Sequence, residues 1–559
     1  MSKLRHALLC VFLFLIAVQN IAVAGDAALP GEIIQELPTL RCLGVRWLVA
    51  GDDNRNSQVL VGYRKAGSTQ WNRGLDLFRV DSRGIRAANR PPAGQTLFAG
   101  SIFNLQEDTE YEVKLVLRDP DGSDVERTLR MRTWSEPKLP KGLRTIDVHP
   151  GGLQQALKDS KPGDVLRLHQ GVYRGAFRPN SGTSGLPIAL VGAGDGEAIF
   201  DGQGGSKIID GYALHDLMFE DLTFRNAQWA LTFNEAARIT VRRCTVSDVD
   251  YGFVAGRNGQ RQQRIFISDC VMRGRSKWPR SEGIEPRRGI QIAGTGHVIC
   301  HNRISHFADA IDTFSAYPAC AIDIYRNEIS ECTDDGIELD YSEHNVRCFE
   351  NRLTNVFQGV SAQPVQGGPA YIFRNAMYSV GHSTFKLHNN TSGVLMLHNT
   401  SVKAGMPLRL STGATVSNCI SRNNLFIGTA ANYAYENLAR MRDCDFDYDG
   451  FGGTWKLFMK FSGVRYPNIE AMRESGVAYR HVIHVDPTGL FASGIGAPAD
   501  LATQFDIGIN DLRLSPRNNA IDAGVTLPNI NDNHAGSGPD LGSYELGQKL
   551  PMYGPRNEH

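Results

Sequence analysis

An asparagine recurs through the middle of the chain at a nearly constant interval, and this recurrence constrains the fold more than any other feature. The intervals are 25, 24, 24, 24 and 24 residues, and each asparagine lies in a similar phrase, such as CHNRIS, YRNEIS or LHNTSV. These residues are Asn302, Asn327, Asn351, Asn375, Asn399 and Asn423. Such a period, with three short strands per turn, indicates a parallel β-helix whose successive coils stack about 4.8 Å apart. We expect the asparagines to form a structural ladder inside one turn.

The segments beside this repeat define the predicted boundaries of the β-helix. The phrases FEDLTFRN, VRRCTVSD and ISDCVMRG continue the register with leucine or cysteine in the asparagine position, which predicts a β-helix over residues 185–430. Residues 136–184 are expected to hold a linker and a short helix, GGLQQALKDS, that caps the open edge of the solenoid. For residues 431–559 we expect loops, a short helix and closing strands. The segments GTSGLPIALVGAGDG and PDLGSYELG resemble the entry and closing segments of many bacterial right-handed β-helix proteins.

Residues 25–135 have a different pattern, with short alternating strands such as GVRWLVAG, SQVLVGYRK and EYEVKLVLRD. Strands of this length separated by Asn, Asp and Gly predict a small β-sandwich. The run LQEDTEYEV, with Leu105, Thr109 and Tyr111, resembles the corner of fibronectin type III domains, where a tyrosine hydroxyl bonds to nearby backbone. The sequence therefore predicts an all-β protein: a fibronectin type III-like sandwich followed by a right-handed parallel β-helix solenoid.

Residues 1–24 have the three-part order of a cleavable secretory signal: basic residues, an apolar run, and Ala22-Val23-Ala24. The apolar run, residues 7–18, is too short to cross a bilayer. We therefore expect a secreted or periplasmic chain without membrane insertion. The formal net charge of +0 argues against a general nucleic-acid binder. Nothing in the sequence indicates an oligomeric state.

Nine of the ten cysteines follow the predicted signal, so at least one thiol has no disulfide partner within the chain. Several lie in strand-like segments, where a small apolar side chain fills an interior, so we favour a packing role and leave a disulfide or two open. No CxxC pair or histidine spacing indicates a zinc site.

A second column of side chains runs along the same coils. The phrases GIQI, AIDT, GIEL, GVSA, TFKL and PLRL each place one outward-pointing residue after an apolar residue. The outward residues are Gln291, Asp312, Glu338, Ser361, Lys386 and Arg409. Carboxylates in adjacent coils, about 5 Å apart, repel by on the order of 3 kcal/mol at an effective dielectric near 20. A bound cation or a raised pKa should offset this repulsion.

The phrases DDGIE, residues 334–338, and FKL, residues 385–387, resemble motifs of the family-nine polysaccharide lyases, right-handed β-helices that act on pectate-type uronans. This resemblance implies a Ca²⁺ cofactor and a lysine base, Lys386. The ligands that it implies are Asp334, Asp335 and Glu338, with Asp309 or Asp312 from the preceding coil. The sequence departs from the family pattern where Glu338 replaces an aspartate and where Ser383-Thr384 precede Phe385 in place of the usual glycine.

Cleaving a uronan by β-elimination requires a base for the C5 proton and a cation for the developing negative charge, so this residue set suits that reaction. The lysine must have a pKa lowered toward neutrality, and we expect Ca²⁺ and Arg409 to lower it. Arg409 could also bind the substrate carboxylate.

The basic insertion RGRSKWPRSEGIEPRR, residues 273–288, interrupts the repeat just before the coil of Gln291. We expect it to lie over the same groove and contact an anionic polysaccharide, although a solvated loop with its own ion pairs explains its charge equally well. The candidate substrate-binding residues are Arg275, Lys277, Trp278 and Arg280.

Two other functions stay open. The first is a hydrolase similar to polygalacturonases, in which Asp309 or Asp312 and the pair Asp334–Asp335 would protonate the leaving oxygen and activate water. The second is a non-catalytic β-helix that binds polysaccharide and uses the carboxylates only to hold calcium between coils.

Overall fold

The protein is described by a computed structural model over residues 25–86, 89–122, 124–256, 262–281, 283–313, 318–413, 415–508 and 510–556. An antiparallel β-sandwich is followed by a long right-handed parallel β-helix, which confirms the predicted all-β fold class. The predicted secretory signal lies outside the described residues. No helix in the described ranges is long and apolar enough to cross a membrane.

The sandwich consists of two four-stranded antiparallel sheets. One contains Leu29–Gln35, Leu43–Ala50, Phe78–Arg79 and Gln95–Ile102; the other contains Gln58–Lys65, Asn72–Arg73, Glu110–Arg118 and Val125–Arg132. Between them lies a core with fully buried Trp47 and nearly buried Tyr111. The Tyr111 hydroxyl accepts a 2.9 Å hydrogen bond from the backbone N–H of Gln106, the contact expected of a tyrosine corner. Assignment to the fibronectin type III family stays a prediction.

Two large sheets form the long walls of the solenoid, and their strands pair in parallel except for Val464–Tyr466, which pairs antiparallel with Gly450–Phe461. The first solenoid sheet contains Arg144–Val148, Asp164–Leu168, Ile188–Gly192, His215–Glu220, Ala237–Arg242, Phe266–Ser268, Val298–Cys300, Asp323–Tyr325, Val346–Phe349, Gln366–Phe373, Ser392–Leu397, Thr415–Ser417, Ile420–Arg422, Arg440–Arg442 and Asp445–Phe446. The second solenoid sheet contains Gly171–Arg174, Ala198–Tyr212, Thr223–Asn234, Thr245–Ala255, Val271–Gly274, Arg288–Ile292, Arg303–Ser305, Asp309–Asp312, Glu328–Glu338, Arg352–Ser361, Ala376–Val380, Phe385–Leu387, Thr400–Val402, Leu408–Thr412, Leu425–Glu436, Gly450–Phe461, Val464–Tyr466 and Ile483–His484. A two-stranded sheet pairs Gly294–Thr295 with Ala319–Cys320. Parallel pairing therefore extends beyond residues 185–430 at both ends.

The asparagine ladder forms in the predicted register, with one change at its end. From Asn302 to Asn375, the Nδ2 of each ladder asparagine donates a 3.0 Å hydrogen bond to the Oδ1 of the next one, ending at Asn399. The Nδ2 of Asn399 then donates to the Oδ1 of Asn424 at 2.9 Å. Asn424, and not the predicted Asn423, is the next rung. Asn423 instead donates to His398 and to the carbonyl of Val525. Two adjacent asparagines both fit the period, so spacing alone did not distinguish them.

Both ends of the solenoid and parts of its two outer walls are covered. The short helix Leu153–Asp159, preceded by the 3₁₀ turn Pro150–Gly152, buries Leu153 and Leu157 against the first coils, as predicted for a cap. A second helix, Ile469–Ser475, packs Met472 into the last coils. The sandwich packs against the outer face of the first solenoid sheet, and residues 485–553 pack against part of the second.

The cysteines serve mainly as interior side chains. All nine in the described residues are free thiols, and seven of them are buried. The thiols of Cys244 and Cys270 bond to backbone carbonyls inside the solenoid. The packing role predicted for the strand cysteines fits this placement.

Candidate active site on the second solenoid sheet

Five residues of the predicted outward column occupy equivalent positions on successive coils. Gln291 pairs with Asp312, Asp312 with Glu338, Glu338 with Ser361, and Ser361 with Lys386. Each follows a buried apolar residue, so the alternation of a β-strand sets this register. The structure therefore confirms the register expected from Gln291 through Lys386.

The predicted alignment of Arg409 with Lys386 is wrong by two residues. Lys386 pairs with Ser411, whereas Arg409 lies opposite Glu436 on the following coil. Leu408 and Leu410 are both buried, and either could have occupied the interior position before an outward residue. Arg409 is exposed on its strand and lies outside the column.

Six carboxylates lie close together on two neighbouring coils of the solenoid. All are at most 8% exposed: Asp309, Asp312, Asp334, Asp335, Glu338 and Asp340. Single oxygens of Asp309, Asp335 and Glu338 lie within 4.8 Å of one another. The structure thus brings together the acidic residues that were predicted from two separate phrases.

Arg288 partly balances this charge. Its Nη2 lies 3.1 Å from Asp309 Oδ2, and its Nε donates to Asp312 Oδ2 at 2.9 Å. Gln291 Nε2 donates to the same Asp312 oxygen at 2.8 Å. Burial opposes the charge of Arg288, but the neighbouring carboxylates outweigh it and raise the pKa of the guanidinium.

Lys386 is the second cationic side chain that pairs with the cluster. Its Nζ donates to Asp335 Oδ2 at 2.8 Å, and the lysine side chain is 13% exposed. Burial alone would lower the pKa of Lys386, but the charge of Asp335 raises it above its ordinary value. The lowered lysine pKa expected from the sequence is therefore not found while this ion pair is formed. Nearby, His388 shares a 2.7 Å hydrogen bond with Ser411, the residue beside Lys386.

The carboxyl groups resist ionisation. Burial and then mutual repulsion raise the pKa of Asp335 and Glu338 well above their ordinary values, and burial raises that of Asp309 to about 7 and that of Asp340 to about 6. Three cationic side chains, Lys386, Arg288 and Arg280, lie within ion-pair distance of four of the six carboxylates. The described cluster therefore has an excess of up to three negative charges, which protons or a cation must offset.

The basic insertion covers part of this cluster through Arg280. Its Nη1 lies 3.8 Å from Asp334 Oδ1, and its guanidinium carbon lies 3.8 Å from the ring centroid of Phe357. His382 stacks on the same ring with a centroid distance of 5.4 Å. Arg280 thus lies over the acidic cluster, where the sequence placed the insertion.

The other three candidate substrate-binding residues are arranged differently. Arg275 is held away by Asp248, whose Oδ1 accepts from Arg275 Nε at 2.7 Å. Lys277 is exposed and lines a surface cleft with Arg275 and Arg280. The indole N–H of Trp278 is buried and has no hydrogen-bond partner among the described residues. Arg280 alone among the four candidates forms an ion pair with the acidic cluster.

Sequence reasoning missed Arg288 and Gln358 as members of the site. Arg288 pairs in register with Asp309, and Gln358 Nε2 donates to Asp334 Oδ1 at 3.4 Å. Arg288 was counted only as the last residue of the basic insertion, and strand alternation from inward-pointing Ile290 does not direct it toward the site. Its position beside Asp309 in the coil register was the only usable signal.

Comparison with solved structures returns several enzymes, all at low similarity. An alginate lyase from Paenibacillus sp. str. FPU-7 shares 19% identity and a TM-score of 0.31, covering 54% of this chain and 97% of that chain. A family 28 exopolygalacturonase from Yersinia enterocolitica shares 11% identity and a TM-score of 0.31, covering 77% and 100%. The catalytic domain of a GH87 α-1,3-glucanase shares 11% identity and a TM-score of 0.30, covering 77% and 83%.

No curated protein matches the sequence at a significant level. Residues 208–392, which hold the entire acidic cluster together with Lys386, match the family model described as the right-handed beta helix region.

Proposed function

We propose that this chain is a calcium-dependent polysaccharide lyase that cleaves an anionic, uronate-containing polymer by β-elimination. The observation that carries the proposal is the 2.8 Å contact between Lys386 Nζ and Asp335, a member of the three-carboxylate group with Asp309 and Glu338. A base directly beside a cation site is what removal of a proton next to a carboxylate requires.

The residues present fit a calcium ion. Asp335 Oδ1 and Glu338 Oε2 are buried and accept no hydrogen bond from any described residue, and an all-oxygen donor set suits Ca²⁺. Asp309 would be the third ligand, because one of its oxygens lies within 4.8 Å of oxygens of Asp335 and Glu338. Asp312 Oδ2, by contrast, accepts from both Arg288 and Gln291. When bound, the ion would supply positive charge that stabilises the negative charge developing beside the substrate carboxylate.

Lys386 would take the C5 proton, after which the bond to the leaving oxygen breaks and a carbon–carbon double bond forms. The ammonium group must first lose a proton, which the charge of Asp335 opposes. Once that charge is neutralised by a bound cation, the remaining effect of burial lowers the pKa of Lys386. Arg280, which lies over the cluster, would hold a substrate carboxylate, and exposed Arg409 is a further candidate for this role.

The hydrolase alternative uses the same carboxylates as acid and base. Asp309 and Asp335 are 1% and 0% exposed, so neither has the open position that a glycosidic oxygen needs. Glu338, with its raised pKa and 8% exposure, is the carboxyl group best suited to act as a general acid. A non-catalytic binding protein would use the carboxylates only for calcium.

One assay separates the three functions. The purified chain is incubated with a panel of uronate polymers and calcium, and each tube is followed for ultraviolet absorbance of unsaturated ends and for new reducing ends. Absorbance that rises with the reducing ends supports the lyase. Reducing ends without absorbance would contradict the lyase and support the hydrolase. If neither product forms and a separate measurement shows saturable binding of a polymer, the non-catalytic binding function would be supported instead.

A further inference from the structure

A second group of metal-binding side chains lies on the opposite side of the solenoid, between the first solenoid sheet and the sandwich. Cys320 Sγ lies 3.7 Å from His344 Nε2. Donor atoms of Cys320, Glu343 and His344 all lie within 4.8 Å of one another. None of these residues contributes to the acidic cluster described above.

The backbone fixes these three donors on adjacent coils. Cys320 ends a two-residue strand that pairs with Gly294–Thr295 on the coil before. On the coil after, the N–H of Glu343 donates to the carbonyl of Ala319 at 3.0 Å, and the N–H of Ala321 donates to the carbonyl of His344 at 3.2 Å. Donors held by interstrand hydrogen bonds keep a stable mutual geometry.

The sandwich supplies groups that orient two of these donors. Glu36 Oε1 lies 2.7 Å from His344 Nδ1, which leaves Nε2 directed toward Cys320. Asn89 Nδ2 donates to Glu343 Oε1. A carboxylate on the far nitrogen of a histidine is the usual second-shell arrangement of metal-bound imidazole.

The distance and the charges both suit a divalent ion. With zinc bonds of about 2.3 Å to sulfur and about 2.05 Å to nitrogen, tetrahedral geometry separates the two ligand atoms by about 3.5 Å, close to the observed 3.7 Å. Arg46 Nε lies 3.1 Å from Glu36, so these two charges cancel. A Cys320 thiolate and the Glu343 carboxylate would then balance the two positive charges of the metal.

The donor types select the metal. Thiolate and imidazole favour zinc and similar transition ions, whereas calcium takes oxygen ligands. All three donors and Glu36 line one cavity of about 410 Å³ between the sandwich and the solenoid. This space leaves a fourth coordination position open to water or a small ligand.

We propose that Cys320, Glu343 and His344 bind Zn²⁺, with Glu36 orienting His344, at the junction of the sandwich and the β-helix. Residue spacing did not indicate this zinc site, because the cysteine and the Glu-His pair lie on different coils, more than twenty residues apart. Binding replaces the thiol proton of Cys320 with the metal and releases that proton to solvent.

The test uses the full chain, stripped with a chelator, and Zn²⁺ alone as the probe. Equilibrium dialysis should give one tightly bound zinc per chain, and Co²⁺ in its place should show thiolate-to-metal charge-transfer absorption. Cys320→Ser and Glu343→Gln should each lose binding, and Glu36→Gln should weaken it about 10- to 100-fold. Cys444→Ser, which alters another half-buried thiol, and Asp335→Asn, which alters the acidic cluster, should keep full binding.

Alkylation of the wild-type chain provides a readout that does not depend on the folding of a variant. Zinc should slow the reaction of iodoacetamide with Cys320, as read by peptide mass spectrometry, and leave Cys444 unaffected. The proposal is overturned if the stripped wild-type chain binds no zinc, if Cys320→Ser and Cys444→Ser bind it equally, or if zinc leaves Cys320 alkylation unchanged. In that last case Cys320 and His344 would form only a thiol–imidazole pair.

Discussion

The ammonium of Lys386 lies 2.8 Å from the carboxylate of Asp335, although their strands are two coils apart in the solenoid. On the intervening coil, Ser361 pairs with Lys386 and Gln358 pairs with Asp335. The proposed base and the proposed cation site are therefore coupled directly, so the charge state of one sets the pKa of the other.

Arg280→Ala should raise KM about tenfold and change kcat less, because the guanidinium would bind the substrate carboxylate and does not touch the base. Steady-state kinetics on the best polymer of the panel measures both constants. Arg275→Ala is the matched control from the same insertion, since Arg275 is held by Asp248 and should have little effect. Equal effects of the two substitutions would contradict this assignment.

Calcium should raise the melting temperature of the wild-type chain. A ligand present at 100 times its Kd stabilises the native state by about 2.7 kcal/mol. Asp335→Asn should abolish most of this response, because it removes a charged ligand whose Oδ1 is buried without a donor. The control is Asp447→Asn, which removes a carboxylate that faces His481 elsewhere and should keep the calcium response. A calcium response that survives in Asp335→Asn would place the ion at another site.

Asn351→Ala should destabilise the chain by about 3 kcal/mol, because the amide joins two neighbouring rungs and its loss leaves buried donors of Asn327 without an acceptor. Chemical denaturation measures the change in the free energy of unfolding. Asn72→Ala, on an exposed strand of the sandwich, is the control and should cost little. A similar loss from both variants would show that the ladder has no special role.

Asp449 should make stability depend on pH. It is fully buried at the end of the ladder, where its Oδ1 accepts from Asn424, and burial raises its pKa to about 7. The native state therefore holds a proton that the unfolded state releases near pH 4, so the stabilising contribution is complete below that pH and is lost as the pH rises through about 7.

Asp449→Asn should remove this dependence. Relative to the variant, the wild-type chain should lose up to about 4 kcal/mol between pH 4 and pH 8, which is measured by denaturation at several pH values. Ser421→Ala, which removes a hydroxyl donor to Asp449 and keeps the carboxyl group, should retain the slope. An unchanged difference between wild type and Asp449→Asn across this range would mean that the carboxyl group is ionised throughout.

Much of the fold could be predicted because the solenoid repeats one coil. The spacing from Asn302 to Asn399 sets the register, and Tyr111 identified the corner of the sandwich. Asn423 was predicted as a rung in place of Asn424 because the two asparagines are adjacent and both fit the period. They are distinguished only by a long-range contact, in which Asn423 donates to the carbonyl of Val525.

The candidate site was predictable where strand alternation is strict and unpredictable where it is not. Strand alternation identified Lys386 and Glu338 as outward-pointing residues of the column. It aligned Arg409 with the wrong residue because Leu408 and Leu410 both fit the buried position of the coil. The strong ion pair between Lys386 and Asp335 depends on the reach of a long side chain across two coils, which no local pattern encodes.

The most direct test of the account is a four-way comparison of unsaturated product formed by wild type and by Lys386→Ala, each with calcium and with a chelator. Lys460→Ala, which alters another ion-paired lysine on the same sheet, serves as the control. The account predicts absorbance from wild type and Lys460→Ala with calcium, and a loss of about 100-fold or more without Lys386 or without calcium. Unsaturated product formed at the wild-type rate by Lys386→Ala would contradict the account.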